Sequence, residues 1–283
     1  MMTATPAPLP LLDIRSLSLS VEHDGETRQI LDDVSLRCGR GEFVALVGES
    51  GSGKSMTLRT IVGLTPTGSR TSGAVELDGQ DVLTASRSEI AEIRRSRVSM
   101  IFQDPRAHIN PYQTIGTFLT EGLRANLGVP KRAAMAQAAA LLEEVGLVNP
   151  VAQLRRHPHE LSGGMLQRVM IASALAGEPE LLLADEPTTA LDVTTQAEII
   201  AILQQLRRSR NLTIVMVTHD LDLAAGSCDR ISVMRHGEIV EASTARELWS
   251  APQHPYTRAL LAAMPARLAR SQEPAPDLEE TRL

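Results

Sequence analysis

The chain has 283 residues, enough for one large domain or two modest ones with a sizeable core. It is 43% hydrophobic and 22% charged, which excludes intrinsic disorder; 34 acidic against 28 basic residues leave a net charge of -6, which speaks against a task built on neutralising nucleic-acid phosphate. Cys38 and Cys228 are too few for a disulfide framework or a cysteine-rich metal site, and both read as small core residues in a reducing compartment.

Residues 1–10 form a flexible, Pro-containing leader without the basic start or apolar stretch of a signal peptide. No run approaches the ~20 apolar residues of a membrane span, so the chain is expected to be cytosolic, with any membrane role supplied by a partner. Residues 12–21 alternate as a strand should, and 42–48 are a short apolar run of the buried-strand kind. Gly51 and Gly53 follow, then a helical pattern over 54–64. Further apolar runs at 98–102, 181–184 and 212–218 are separated by helix-like stretches such as 131–145 and 194–208. That alternation predicts an α/β chain with a parallel sheet. From about 104 to 176 helical patterns follow one another without a strand, which predicts a helical insertion. Residues 230–234 and 238–241 flank His236-Gly237 as a hairpin, short helices follow near Thr244 and Tyr256, and 266–283 read as a disordered tail.

The segment Gly48-Glu49-Ser50-Gly51-Ser52-Gly53-Lys54-Ser55 fits G-x-x-x-x-G-K-[ST] between a strand signal and a helix signal. Glycines let a backbone curl around phosphate oxygens, and the helix start presents free N–H groups with partial positive charge. Lys54 would reach the β and γ phosphates, and the Ser55 hydroxyl would take one position on Mg²⁺. Lys54 and Lys131 are the only lysines, so a lysine at this place carries weight. A glycine-rich turn before a helix is the plain alternative.

Residues 181–184 deliver the adjacent acids Asp185 and Glu186 at the carboxyl end of a strand, where open α/β sheets bind ligands. Asp185 would hold Mg²⁺, and Glu186 would act as general base toward the attacking water. Alone, such a pair also reads as a solvated strand end. Leu161-Ser162-Gly163-Gly164-Met165 leads into a helix, either as an anion cradle or as an ordinary cap.

With these motifs in this order, the chain resembles the ATP-binding cassette family, the nucleotide-binding subunits of transporters, over about residues 12–265. The resemblance implies a P-loop NTPase cassette at 11–265, with a RecA-like parallel-sheet core, an N-terminal antiparallel β subdomain and an inserted helical subdomain at about 104–176. It also implies that Gly48 to Ser55, with Met56 following, is the Walker A loop and that Gln103 is the Q-loop glutamine, near Mg²⁺ and the water. Ser162, Gly163 and Gly164 match the signature, Asp185 and Glu186 match Walker B and the catalytic glutamate, Asp192 the D-loop, and His219 the switch histidine. In this family two cassettes sandwich two ATP molecules, so the signature acts in trans and Asp192 lies along the dimer seam.

His157-Pro158-His159-Glu160 before the signature and His254-Pro255-Tyr256-Thr257 near the end are similar to the peptide and nickel importer branch. That likeness implies an ATP-hydrolysing subunit, with ATP and Mg²⁺ as ligands, peripheral at the cytoplasmic face of the inner membrane. It further implies permease subunits, a second ATPase subunit and, indirectly, an extracytoplasmic binding protein; no nucleic acid is expected. Three departures stand out. Met165 replaces the usual signature glutamine, the adenine-stacking aromatic expected upstream of the phosphate loop is absent, with Val21 or His23 nearest its place, and no cysteine follows Cys228. The rival reading, a soluble ATPase of the same type in DNA repair or translation, usually carries fused cassettes, coiled coils or basic arms, and this chain has none of them.

Overall fold

The structure is a computed structural model and describes residues 9–23 and 25–264. Residues 1–8 of the expected leader, the expected tail and the His23 side chain lie outside the described residues.

The chain opens with β1 (Leu12–His23) and β2 (Glu26–Cys38), then β3 (Phe43–Val47), the helix α1 (Lys54–Ile61), β4 (Arg70–Leu77), β5 (Gln80–Asp81) and α2 (Arg87–Ser96). After β6 (Val98–Ile101) come helices only: α3 (Pro105–His108), α4 (Ile115–Ala125), α5 (Lys131–Glu144), α6 (Pro150–Gln153) and α7 (Gly163–Leu175). The remainder alternates: β7 (Leu181–Asp185), α8 (Val193–Arg210), β8 (Thr213–Thr218), α9 (Leu221–Ser227), the hairpin β9 (Arg230–Arg235) and β10 (Glu238–Thr244), then α10 (Ala245–Ser250) and α11 (Pro255–Ala262).

The strands form two sheets. One has four strands in the order β2-β1-β4-β5, all antiparallel. The other has six in the order β10-β9-β3-β8-β7-β6, parallel except for the edge strand β10. β3, β7 and β8 are buried along their whole length, as a sheet covered on both faces requires. Because side chains alternate along a strand, each central strand feeds two cores. Phe43, Ala45, Val47, Leu182, Ala184, Ile214 and Met216 face the core built with the helices that follow β6. Val44, Leu46, Leu181, Leu183, Val215 and Val217 face a second core shared with β1, β2, β4 and α1. The large sheet is thereby fixed between the antiparallel sheet and the helical region, and its carboxyl edge carries the site.

Two element ends differ from the sequence expectation. The helix expected over 54–64 stops at Ile61, because Gly63 takes φ 63° and turns the chain toward Pro66. Phe102 leaves the β6 ladder and stacks on His108, with ring centroids 4.4 Å apart.

Candidate functional site

The phosphate loop leaves β3 at Gly48 and enters α1 at Lys54. Gly53, at the helix N-cap, has φ 106°, and a Cβ there would meet Leu31 Cδ2 and Met234 Cε at 2.8 Å, so no other residue fits without displacement. The Lys54 ammonium folds back across the loop and donates to the carbonyls of Gly48 at 2.8 Å and Glu49 at 2.7 Å. Burial draws this ammonium below the usual lysine range, while Glu186, Asp185 and Glu49 pull it back up. Ser52 Oγ is buried and, among the described residues, has no hydrogen-bond partner. A curled backbone, a lysine and a free buried hydroxyl together form a donor set that fits phosphate oxygens.

β7 ends at Asp185, which is 2% exposed and accepts from Ser55 Oγ at 2.7 Å. Burial pushes its carboxyl upward, and the Ser55 hydroxyl opposes that shift. A hydroxyl and a buried carboxylate are hard oxygen donors beside the phosphate loop, a set that fits Mg²⁺. The next residue, Glu186, turns out of the strand with φ 49°, its N–H bonded to the Val217 carbonyl at 3.0 Å. One of its oxygens, Oε2, is shared: Gln103 Nε2 donates at 3.1 Å, Thr189 Oγ1 at 2.7 Å, and His219 Nδ1 lies 3.5 Å away. The structure thus brings together residues from the loops after β6, β7 and β8. His219 remains 64% exposed and Glu186 17% exposed, so the cluster opens to solvent.

The residues expected to form the signature lie elsewhere. Ser162 caps α7 by accepting the Met165 N–H at 3.3 Å. Gly163 and Gly164 rest on Leu191, just before α8, and Thr195 in its first turn, and no hydrogen bond or ion pair among the described residues joins them to the phosphate loop. Asp192 caps α8, accepting from the Thr195 N–H at 3.0 Å and hydroxyl at 2.7 Å. A cleft of about 460 Å³ separates the Gln103 loop from the α7 tip and Thr189 to Leu191. The Met165 side chain packs against the larger core, which accommodates an apolar residue there. Met56 and Val21 pack against the smaller core, so Met56 faces the apolar interior and leaves its backbone toward the loop. His254 caps α11, and His157 sits beside Glu160.

Sequence reasoning missed Thr189 as a partner of Glu186 and Tyr256 as a partner of Glu49. For Thr189 a signal existed, its spacing three residues after Glu186 across a turn. For Tyr256, 207 positions from Glu49, the sequence held none.

A buried strand, phosphate loop and helix in the same parallel sheet as a second strand ending in paired acids, one strand away, define a P-loop nucleoside triphosphatase. A family model described as ABC transporter matches residues 31–189, more than half of the chain. The Bacillus subtilis oligopeptide transport ATP-binding protein OppD is 42% identical over 265 residues, covering 93% of this chain and 74% of that protein. The Agrobacterium fabrum peptidoglycan transport ATP-binding protein YejF is 45% identical over 258 residues, 90% of this chain, which spans about half (47%) of that relative. The ATP-binding cassette MJ0796, solved as a dimer in a post-hydrolysis state with ADP and Pi, superimposes with a TM-score of 0.74 at 31% identity, over 83% of this chain and 99% of that one. The chain belongs to the ABC transporter family. It is an ABC ATPase subunit that binds ATP, and the soluble repair or translation reading is not favoured.

Proposed function

We propose that this subunit energises import of a peptide-class solute by closing as a dimer on ATP and reopening after hydrolysis. The observation that carries the reading is the convergence of Gln103, Thr189 and His219 on one oxygen of Glu186, next to the Ser55–Asp185 pair. Glu186 would take the proton of the attacking water. Its bonded oxygen is held by Gln103 and Thr189, so the other oxygen is left to face the water. Gln103 aligns that water, and His219 meets the γ-phosphate without needing a fixed charge. Lys54 exchanges its carbonyl partners for phosphate oxygens, and the amides from Gly48 to Met56 surround them. Mg²⁺, held by Ser55 and Asp185 with Gln103 near, would supply charge neutralisation for the β and γ phosphates.

Ser162, Gly163 and Gly164 close over nucleotide held by the neighbouring subunit, and Asp192 lies at that seam; the dimeric state of MJ0796 supports this arrangement. The γ-phosphate then supplies the differential contact between open and closed states, and its hydrolysis removes it. The relatives' names support a peptide-class cargo, whereas nickel chelates draw no support from them. Among the described residues no helix is long and apolar enough to cross a membrane. Permease subunits would therefore seat the chain peripherally at the cytoplasmic face, together with a second ATPase subunit. An extracytoplasmic binding protein would deliver cargo from the far side.

The test reconstitutes the chain with its co-purifying permease and partner ATPase in vesicles and measures ATP turnover with a peptide-loaded binding protein. Stimulation by peptide supports the reading. ATP turnover indifferent to every peptide-loaded binding protein, with stimulation by a nickel chelate instead, overturns the cargo class.

A further inference from the structure

The sequence left His254-Pro255-Tyr256-Thr257 without a task, and the structure places it against the phosphate loop. Glu241 on β10 accepts the N–H groups of Gln253 at 2.8 Å and His254 at 2.9 Å, and His254 Nδ1 accepts the Tyr256 N–H at 3.2 Å. These bonds fix the start of α11. The Tyr256 ring is buried and lies under the Arg235 guanidinium, 4.7 Å from Cζ to the ring centroid. Its hydroxyl accepts the Glu49 N–H at 3.3 Å.

The same residue is held from its other side, because the Glu49 carbonyl accepts from Lys54 Nζ at 2.7 Å. The hairpin that turns after Arg235 supports the loop as well. A Cβ on Gly48 would lie 2.1 Å from the Met234 carbonyl oxygen, and the Gly237 N–H donates to the Ser52 carbonyl at 2.9 Å. Both ends of the loop are therefore tied to the C-terminal hairpin and helix, and the bond to Tyr256 falls on a residue whose carbonyl holds the lysine.

We propose that Tyr256 is a positioning residue for nucleotide binding: its hydroxyl sets the Glu49 backbone, and through it the direction in which Lys54 leaves the loop toward phosphate. The proposal rests on Gly48 to Ser55 being the nucleotide site. A hydrogen bond with uncharged partners contributes modestly, so the expected loss in affinity is about three- to tenfold. Tyr256→Phe keeps the ring, its burial and the arginine above it, and removes only the hydroxyl, which accepts from the Glu49 N–H and also meets the Glu49 carboxylate.

The experiment uses the full chain and measures Mg·ADP binding by calorimetry, thermal unfolding, and amide exchange at Glu49, with Lys54→Ala alongside. The expected result for Tyr256→Phe is about three- to tenfold weaker ADP binding, an unfolding midpoint within about 2 °C of wild type, and faster exchange at Glu49. Unchanged ADP affinity in Tyr256→Phe, with Lys54→Ala weakened, overturns the positioning role and leaves the loop assignment standing. Unchanged affinity in Lys54→Ala overturns the loop assignment and this inference with it. Should Tyr256→Phe not fold, the unmodified chain decides: the Glu49 amide is expected to be protected before nucleotide is added, and free exchange there overturns the proposal.

Discussion

Ser55 and Asp185 stand 130 positions apart in sequence, yet the hydroxyl of one donates to the carboxylate of the other at 2.7 Å. This bond joins the first turn of α1 to the end of β7 and is the single hydrogen bond described for the Asp185 side chain. A buried carboxylate stripped of its donor keeps its desolvation cost, so the pair contributes to stability as well as to the proposed Mg²⁺ site.

Ser55→Ala is accordingly expected to lower the unfolding free energy by about 1.5–3 kcal/mol, the usual range for a hydrogen bond to a charged group. It should also shrink the gain in ADP affinity on adding Mg²⁺ by about tenfold or more, since one hard oxygen donor is lost. Denaturant titration and calorimetry with Mg²⁺ or with chelator check both. An unchanged Mg²⁺ increment would remove Ser55 from the metal assignment.

Glu186→Gln keeps the shape of the site and removes the proposed base. Steady-state ATP turnover is expected to fall by about a hundredfold or more, in the range general-base catalysis supplies, with nucleotide binding retained. Thr189→Val removes only the 2.7 Å donor to Oε2, and the expected outcome is a smaller fall of about threefold to tenfold with unchanged ADP affinity. Near-wild-type turnover in Glu186→Gln would move the base elsewhere.

Cys38 and Cys228 are both buried, and burial disfavours the thiolate form. The Cys38 thiol is pushed strongly upward, and that of Cys228 to about 12. Neither is expected to react with iodoacetamide at pH 8 in the native chain, and both should react once denatured. Mass spectrometry of labelled peptides gives the result, and rapid native labelling of either thiol would contradict the burial argument.

The large sheet was legible in the sequence because its central strands are short apolar runs with breakers on both sides, as in Phe43 to Val47 followed by Gly48. The hairpin around His236-Gly237 was legible for the same reason. The antiparallel sheet was less so. β2 exposes most of its residues from Glu26 to Asp33, so its alternation breaks up, and β4 begins with four exposed residues before Ala74. The sequence also presents Gln103, Glu186 and His219 as separate strand ends. That they meet at one carboxylate oxygen follows from neighbouring parallel strands whose carboxyl ends share an edge, a register that local patterns do not encode. Tyr256 was invisible as a partner for the same kind of reason, since nothing local to α11 refers to Glu49.

The tip of α7 offers a test with a built-in rescue. A Cβ on Gly164 would stand 2.5 Å from Thr195 Cγ2, closer than side chains pack, and the obstructing atom belongs to a threonine whose hydroxyl is bonded to Asp192. Gly164→Ala is expected to cost about 1–3 kcal/mol of stability, as overpacking of tight contacts does, and to slow turnover by shifting the α7 tip away from the proposed dimer seam. Thr195→Ser deletes the methyl and keeps the hydroxyl. In the double variant the clash disappears while the α8 cap survives, so stability should return to within about 0.5 kcal/mol of the Thr195→Ser single variant. Denaturation of the four proteins closes the cycle. Failure of Thr195→Ser to rescue Gly164→Ala would mean that the glycine is required for its backbone and not for the close approach of the two helices.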